Sequence, residues 1–208
     1  MPRPSRAAER RAELLVAARE AILEHGVIGL RLRDIADRAD ISTGSLLYYF
    51  PNLTELLYEV QRAAVERFCS NREETAAAEP DPRRRLAGLI RAGLPTGRED
   101  ELCFLIYELG AYARIDAAYA AQHIQLYERQ VALYSAVLAA GAASGAFTLT
   151  RDATTIARTL VALEDGLGLH LTQAVPTFTA AVAEQLLLAY ATDSTGCALD
   201  KLPQPEGA

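Results

Sequence analysis

Apolar positions recur every three or four residues along almost the whole chain, the spacing of one face of an α-helix. The first run, Leu14/Leu15, Ala18 and Ile22, predicts a helix that starts after Ser5 and stops at Gly26. Short helices follow at roughly 32–39 and 43–49, separated by Asp40-Ile41-Ser42. Pro51 ends the second, since proline lacks an N–H and forces the residue before it out of helical angles. Asn52-Leu53-Thr54-Glu55 has the pattern of a capping box and opens a long helix to about residue 76. Further helices are predicted at 82–94, 98–114, 116–143, 151–173 and 177–191, punctuated by Pro82, Pro95/Gly97, Ile115-Asp116, Gly141/Gly145 and Pro176. Period-two alternation is absent. The predicted fold is all-α with about nine helices, and the tail from Thr192 onward, poor in large apolar residues, is expected to be disordered.

Composition narrows the function. The chain has 208 residues and a net charge of -6. Residues 1–62 hold nine arginines and nine acids, so the acidity lies entirely behind them. Lys201 is the one lysine among 21 basic residues, and arginine pairs with phosphate through a bidentate fork. No stretch of about 18 apolar residues predicts a membrane span, and the charged start predicts no secretion signal. Cys69, Cys103 and Cys197 are too few and too far apart for a disulfide framework or a CxxC metal site, which suits a cytoplasmic protein.

Two short helices joined by a tight turn are the helix-turn-helix arrangement. Leu32, Ile35 and Ala36 would grip the first helix, Ile41 would fill the corner, Ser42 would cap the second short helix and Leu46 would anchor it. That leaves Thr43, Gly44, Ser45, Tyr48 and Tyr49 facing outward, small at the helix start and hydroxyl-bearing beyond it, as major-groove docking requires. On Arg33-Asp34-Ile35-Ala36 and Ile41-Ser42-Thr43-Gly44-Ser45-Leu46-Leu47-Tyr48-Tyr49-Phe50-Pro51, with Leu14–Ala18 and Gly26, residues 10–60 resemble the DNA-binding domain of the TetR family of transcriptional repressors. The resemblance implies a homodimer that places this helix in successive major grooves of a palindromic operator, half-sites about 34–36 Å apart. It implies DNA contacts from Arg33, Ser42, Thr43, Gly44, Ser45, Tyr48 and Tyr49. It also implies a DNA-binding domain over 1–52, an effector-binding and dimerisation domain over 53–192, linked by the helix from 53, and a tail over 193–208. The chain departs from the family at Leu30-Arg31, where a capping Thr or Ser is usual, and at Leu53, where a phosphate-binding lysine is common. Arg3, Arg6, Arg10 and Arg11 form a basic arm that could add phosphate contacts.

In the rear part, Tyr119, His123, Tyr127, Gln130 and Tyr134 fall on one face of the 116–143 helix, with Leu126, Leu133 and Val137 assigned to the opposite flank. Aromatic rings interleaved with hydrogen-bonding groups suit a pocket for a mostly apolar small molecule; they suit a core equally. Phe104, Tyr107 and Glu108 on the preceding helix, and Ile156, Leu160, Leu163, Leu167 and His170 on the following one, would complete the lining. Glu108, Glu164 and Asp165 would admit a cationic effector, or serve as solvated or helix-pairing acids. Ala162, Gly166 and Leu169, with Val182, Leu186, Ala189 and Tyr190, are the expected dimer face, a four-helix interface once doubled.

Enzyme signatures are missing: no HExxH, GxSxG, P-loop or dinucleotide fingerprint occurs, so no catalysis, cofactor or metal is expected. Cys103, set among apolar residues, reads as a core thiol. The expected function is a ligand-responsive, TetR-like repressor whose partners are duplex DNA, a small-molecule effector and a second copy of itself. The alternative is a helical small-molecule-binding dimer that has lost operator binding.

Overall fold

A computed structural model describes residues 6–201, and among these the chain forms nine α-helices and two 3₁₀ turns, with no strand. The helices are α1 (Arg6–His25), α2 (Leu32–Arg38), α3 (Thr43–Tyr49), α4 (Leu53–Ala78), α5 (Pro82–Gly93), α6 (Glu101–Gly110), α7 (Ala117–Ala143), α8 (Ala153–Thr172) and α9 (Ala180–Thr195). No helix among the described residues is long and apolar enough to cross a membrane. The expected Ser5 cap and the arm residue Arg3 lie outside the described residues.

The helix limits follow local chemistry. Gly26 ends α1 in the left-handed region, with φ 73° and its N–H donated to the Ile22 carbonyl at 2.8 Å. Asn52 accepts the Glu55 N–H at the start of α4, Asp81 accepts from Arg83 before Pro82 opens α5, and Asp152 accepts from Thr155 at the start of α8. The helix expected over 98–114 begins only at Glu101, because Asp100 captures the Cys103 N–H as a cap. It tightens into a 3₁₀ turn at Ala111–Arg114.

The chain divides into two compact units. One comprises Met1–Glu66 with Phe104–His123; the other comprises Arg67–Cys103 with Ile124–Ala208. In the first, α1 buries Leu14, Ala17, Ala18, Ala21 and Ile22, and α2 buries Ile35 and Ala36. In the second, α5, α7, α8 and α9 share a core that includes Leu86, Leu89, Tyr134, Leu138, Phe147, Leu160 and Leu187. Gly141 is obligatory there: a Cβ would lie 2.0 Å from the Phe147 ring.

The disorder expected from Thr192 is corrected for residues 192–201. Helix α9 runs to Thr195, and Gly196 caps it with φ 64°. Two backbone hydrogen bonds, Thr148 N–H to Thr195 and Thr150 N–H to Ser194, tie this end to the loop between α7 and α8. Leu199 is then fully buried in the core. A single large apolar residue after the cap outweighs the polar composition around it. The rest of the expected tail, 202–208, lies outside the described residues.

Candidate functional site

Helix α3 is built so that one side anchors and the other is left bare. Leu46 and the following Phe50 are fully buried. Ser42 accepts the Ser45 N–H at 3.1 Å, and the two hydroxyls lie 2.9 Å apart. Arg11 holds the other end: its guanidinium sits 4.2 Å over the Phe50 ring and donates to the Tyr49 carbonyl at 2.7 Å. Arg11 is thereby a C-terminal clamp on α3 and not a free member of a basic arm. Arg10 likewise turns to Glu13 at 2.6 Å.

With the helix so fixed, the Tyr48 side chain is 83% exposed and meets the half-buried Tyr49 ring edge-on at 5.1 Å. Gly44 and Ser45 are exposed and Thr43 is half-buried. A Cβ on Gly44 would meet nothing closer than the Ser42 hydroxyl at 3.8 Å, so the subunit itself has no need of glycine there. Arg33 is exposed and loosely paired with Asp37 at 3.5 Å, an arrangement a phosphate could displace at small cost. Arg31, where the family pattern has a capping residue, offers no acceptor; Asp34 supplies the reciprocal bond by accepting the Arg31 N–H at 2.8 Å. Asp34 is thus a structural acid and not merely a solvated one.

The stripe expected to line an effector pocket separates. Tyr119 is buried, and its hydroxyl donates to the Thr54 carbonyl at 3.1 Å. The Tyr58 ring meets it edge-on at 5.4 Å and the Tyr112 ring stacks on it at 5.1 Å. Burial raises the Tyr119 pKa, so the hydroxyl remains a donor. Phe104 and Tyr107 are half-buried in this same unit, while Glu108 and His123 are exposed. Tyr127, Gln130 and Tyr134 fall in the other unit, where Tyr127 is exposed and the other two are buried. Leu126 and Val137 are buried too, so they share the inward side with the stripe and do not form an opposite flank. Ile156 and Leu160 are core; Leu163 and Leu167 are half-buried against it; the exposed His170 packs edge-on to Phe178 at 5.6 Å.

Gln130 and Tyr134 are committed to a buried ion pair. Arg72 donates to both Glu164 carboxylate oxygens, at 2.9 and 3.1 Å, and to the Gln130 side-chain Oε1 at 2.9 Å. The Tyr134 hydroxyl donates to the same carboxylate. Phe68 and Tyr134 face the guanidinium with their rings, at 5.3 and 5.1 Å. Burial works against the Arg72 charge, but Glu164 and Tyr134 raise its pKa overall. Glu164 is therefore already neutralised, which removes it as the partner of a cationic effector. Gly93 makes room for the pair, since a Cβ there would lie 2.0 Å from the Glu164 carboxylate. The sequence carries a trace of Arg72: it interrupts the apolar positions Val65, Phe68 and Ala76 on the buried side of α4. Cys103 is buried, and burial with Asp100 nearby raises its thiol pKa, the opposite of a reactive thiolate. No group of residues suited to holding a metal occurs among the described residues.

Two family patterns match this chain. Residues 14–60 match "Bacterial regulatory proteins, tetR family", and residues 82–195, more than half of the chain, match "BetI-type transcriptional repressor, C-terminal". The chain belongs to the TetR family. TetR-family proteins are transcriptional regulators, a class not defined by catalysis. The HTH-type transcriptional regulator BetI of Burkholderia ambifaria is 34% identical over 93 residues, 44% of this chain and 48% of that protein. The HTH-type transcriptional repressor KstR2 of Mycolicibacterium smegmatis is 30% identical over 105 residues, 50% of this chain and 51% of that protein. The matched region spans about half the length of these curated relatives. A TetR transcription regulator from Haloarcula marismortui superposes with a TM-score of 0.81 at 26% identity, covering 90% of this chain and 98% of that one. A transcriptional regulator from Saccharomonospora viridis, solved with choline, shares the fold with a TM-score of 0.83 at 23% identity, covering 90% and 97%.

In this TetR-family chain the residues expected at a dimer face, Tyr190 apart, turn away from the core. Ala162, Gly166 and Leu169 of α8 are exposed, as are Val182, Leu186 and Ala189 of α9, with Tyr190 half-buried. Leu186 alone is 49% exposed. A Cβ on Gly166 would meet nothing within 4 Å in its own subunit.

Proposed function

We propose that this TetR-family chain is a cytoplasmic repressor that binds a palindromic operator as a homodimer and is released by a small molecule. The observation that carries the proposal is α3: a helix capped by Ser42, clamped by Arg11 and anchored through Leu46 presents Gly44, Ser45 and Tyr48 to solvent, with the half-buried Thr43 beside them. Buried anchors fix the helix in orientation. Hydroxyls and a flat glycine step then meet the groove and its flanking phosphates, with Tyr49, Ser42 and Arg33 at the margins.

Dimerisation uses the apolar face of α8 and α9 around Gly166 and Leu186, where small residues let a second copy approach closely. The effector acts by binding one conformation of the dimer better than the other. Its contacts come from the ring-rich part of the first unit, Phe104, Tyr107 and Tyr119 with His123, because the polar groups of Gln130 and Tyr134 are already engaged by Arg72 and Glu164. Choline, held by the structurally similar regulator from S. viridis, is the cation to screen beside uncharged amides and alcohols.

Fluorescence anisotropy with duplex DNA from upstream of the chain's own gene tests the reading. The wild-type protein should bind with a steep salt dependence. Tyr48→Ala should weaken binding at least about tenfold, the scale of one good contact, with an unchanged melting temperature. Equal affinity in the variant, or no specific binding by the wild type, would reject operator recognition by α3. The latter result would leave a helical ligand-binding dimer.

A further inference from the structure

Two carboxamides in the first unit have no counterpart in the scheme above. Gln61 of α4 and Gln122 of α7 are 2% and 5% exposed. The Gln61 Oε1 and both the Oε1 and Nε2 of Gln122 have no hydrogen-bond partner in the protein. Buried polar groups are normally paired, and an unpaired one costs about 1–3 kcal/mol of desolvation.

Their positions are related. Tyr58 of α4 meets Tyr119 of α7, whose hydroxyl also donates to the Thr54 carbonyl of α4. Gln61 lies one turn from Tyr58 and Gln122 one turn from Tyr119, so each buried carboxamide flanks the same tyrosine contact.

We propose that Gln61 and Gln122 form a recognition site for an uncharged hydrogen-bonding group of the effector, an amide or a hydroxyl. The orphan atoms comprise two acceptors and one donor, which complements a group that both donates and accepts. Charge argues against an ion here. The described residues of the first unit bury no charged side chain; the buried Arg72 and Glu164 belong to the other unit and neutralise each other. An unpaired ionic group in such a place is strongly disfavoured. A cation would need a free aromatic face, and the Tyr119 ring is already engaged by Tyr58 and Tyr112. The proposal rests on the reading of this chain as effector-responsive and assigns the chemistry of the effector's polar end.

The test uses the full-length protein as wild type, Gln61→Met and Gln122→Met, with thermal denaturation in butanamide, butanoate or choline. Butanamide should raise the wild-type Tm in a saturable way, and butanoate and choline should do so less. Each variant should lose at least about tenfold in butanamide affinity and, without additive, melt at or above wild type, since an unpaired buried group has been removed. Should one variant fail to fold, the other carries the comparison. A larger shift from butanoate or choline, a butanamide shift that survives in the variants, or no shift from any probe would overturn the assignment. Operator anisotropy on the same samples separates the two readings. No butanamide shift in the wild type, or one that survives in both variants, with operator binding intact sinks only the glutamine site, whereas absent operator binding by the wild type sinks the repressor reading.

Discussion

Glu164→Ala should be among the most damaging single substitutions in this protein. The alanine would remove the acceptor of two Arg72 hydrogen bonds and of the Tyr134 hydroxyl at once. Arg72 would keep its charge, because guanidinium does not deprotonate in a protein. Its side chain is 1% exposed and flanked by the Phe68 and Tyr134 rings, so water cannot replace the lost carboxylate without opening the core. Breaking one side of a buried pair costs about 3–5 kcal/mol. For a chain of this size each kcal/mol lowers Tm by about 2–4 °C, so a fall of roughly 6–20 °C is expected. The double variant Arg72→Met/Glu164→Leu removes both charges together and should recover most of that loss, since apolar replacements of buried pairs are often neutral. Differential scanning calorimetry of Arg72→Met, Glu164→Leu and the double, at one protein concentration, closes the cycle. A Glu164→Ala protein within about 1 kcal/mol of wild type, by the same scale, would refute the reasoning. So would a double variant as unstable as the two singles added together.

Three other outcomes follow from the same geometry. Gly166→Trp should fold, since nothing within the subunit opposes a side chain there, yet should move the sedimentation profile from dimer toward monomer; an unchanged profile would place the interface elsewhere. Gly93→Ala should destabilise the protein because its Cβ would overlap the Glu164 carboxylate, and calorimetry showing wild-type Tm would mean that the ion pair can shift aside. Hydrogen bonds from Thr155 hold the Asp152 carboxyl below its ordinary value. Its stabilising effect on α8 is therefore present above the unfolded carboxyl pKa and lost as pH falls through the lower folded value. Asp152→Asn should flatten the acid limb of the stability profile, and an identical limb would show that the cap does not titrate.

Much of the fold was legible because it depends on local rules. The caps at Ser42 and Asn52, the stops at Gly26 and Pro51, and the apolar period of each helix are properties of a few neighbouring residues. Helix α3 was legible for the same reason: eight residues between a cap and a proline leave little choice over which side is buried. The pocket stripe was not. Spacing puts Tyr119, His123, Tyr127, Gln130 and Tyr134 on one side of α7, but it cannot say what that side meets along 27 residues. Tyr119 meets Thr54, Gln130 and Tyr134 meet Arg72 and Glu164, and His123 and Tyr127 meet solvent.

By itself, then, the amino-acid order determined an all-helical chain with a helix-turn-helix of the TetR kind near its start, because capping, periodicity and turn chemistry act over a few residues. Tertiary structure alone decided that Arg11 clamps α3, that Arg72 neutralises Glu164 across 92 positions of sequence, and that Leu199 closes the core beyond the last helix cap. Burial and pairing are decided by whichever distant segment arrives to exclude water, and no local pattern encodes that partner.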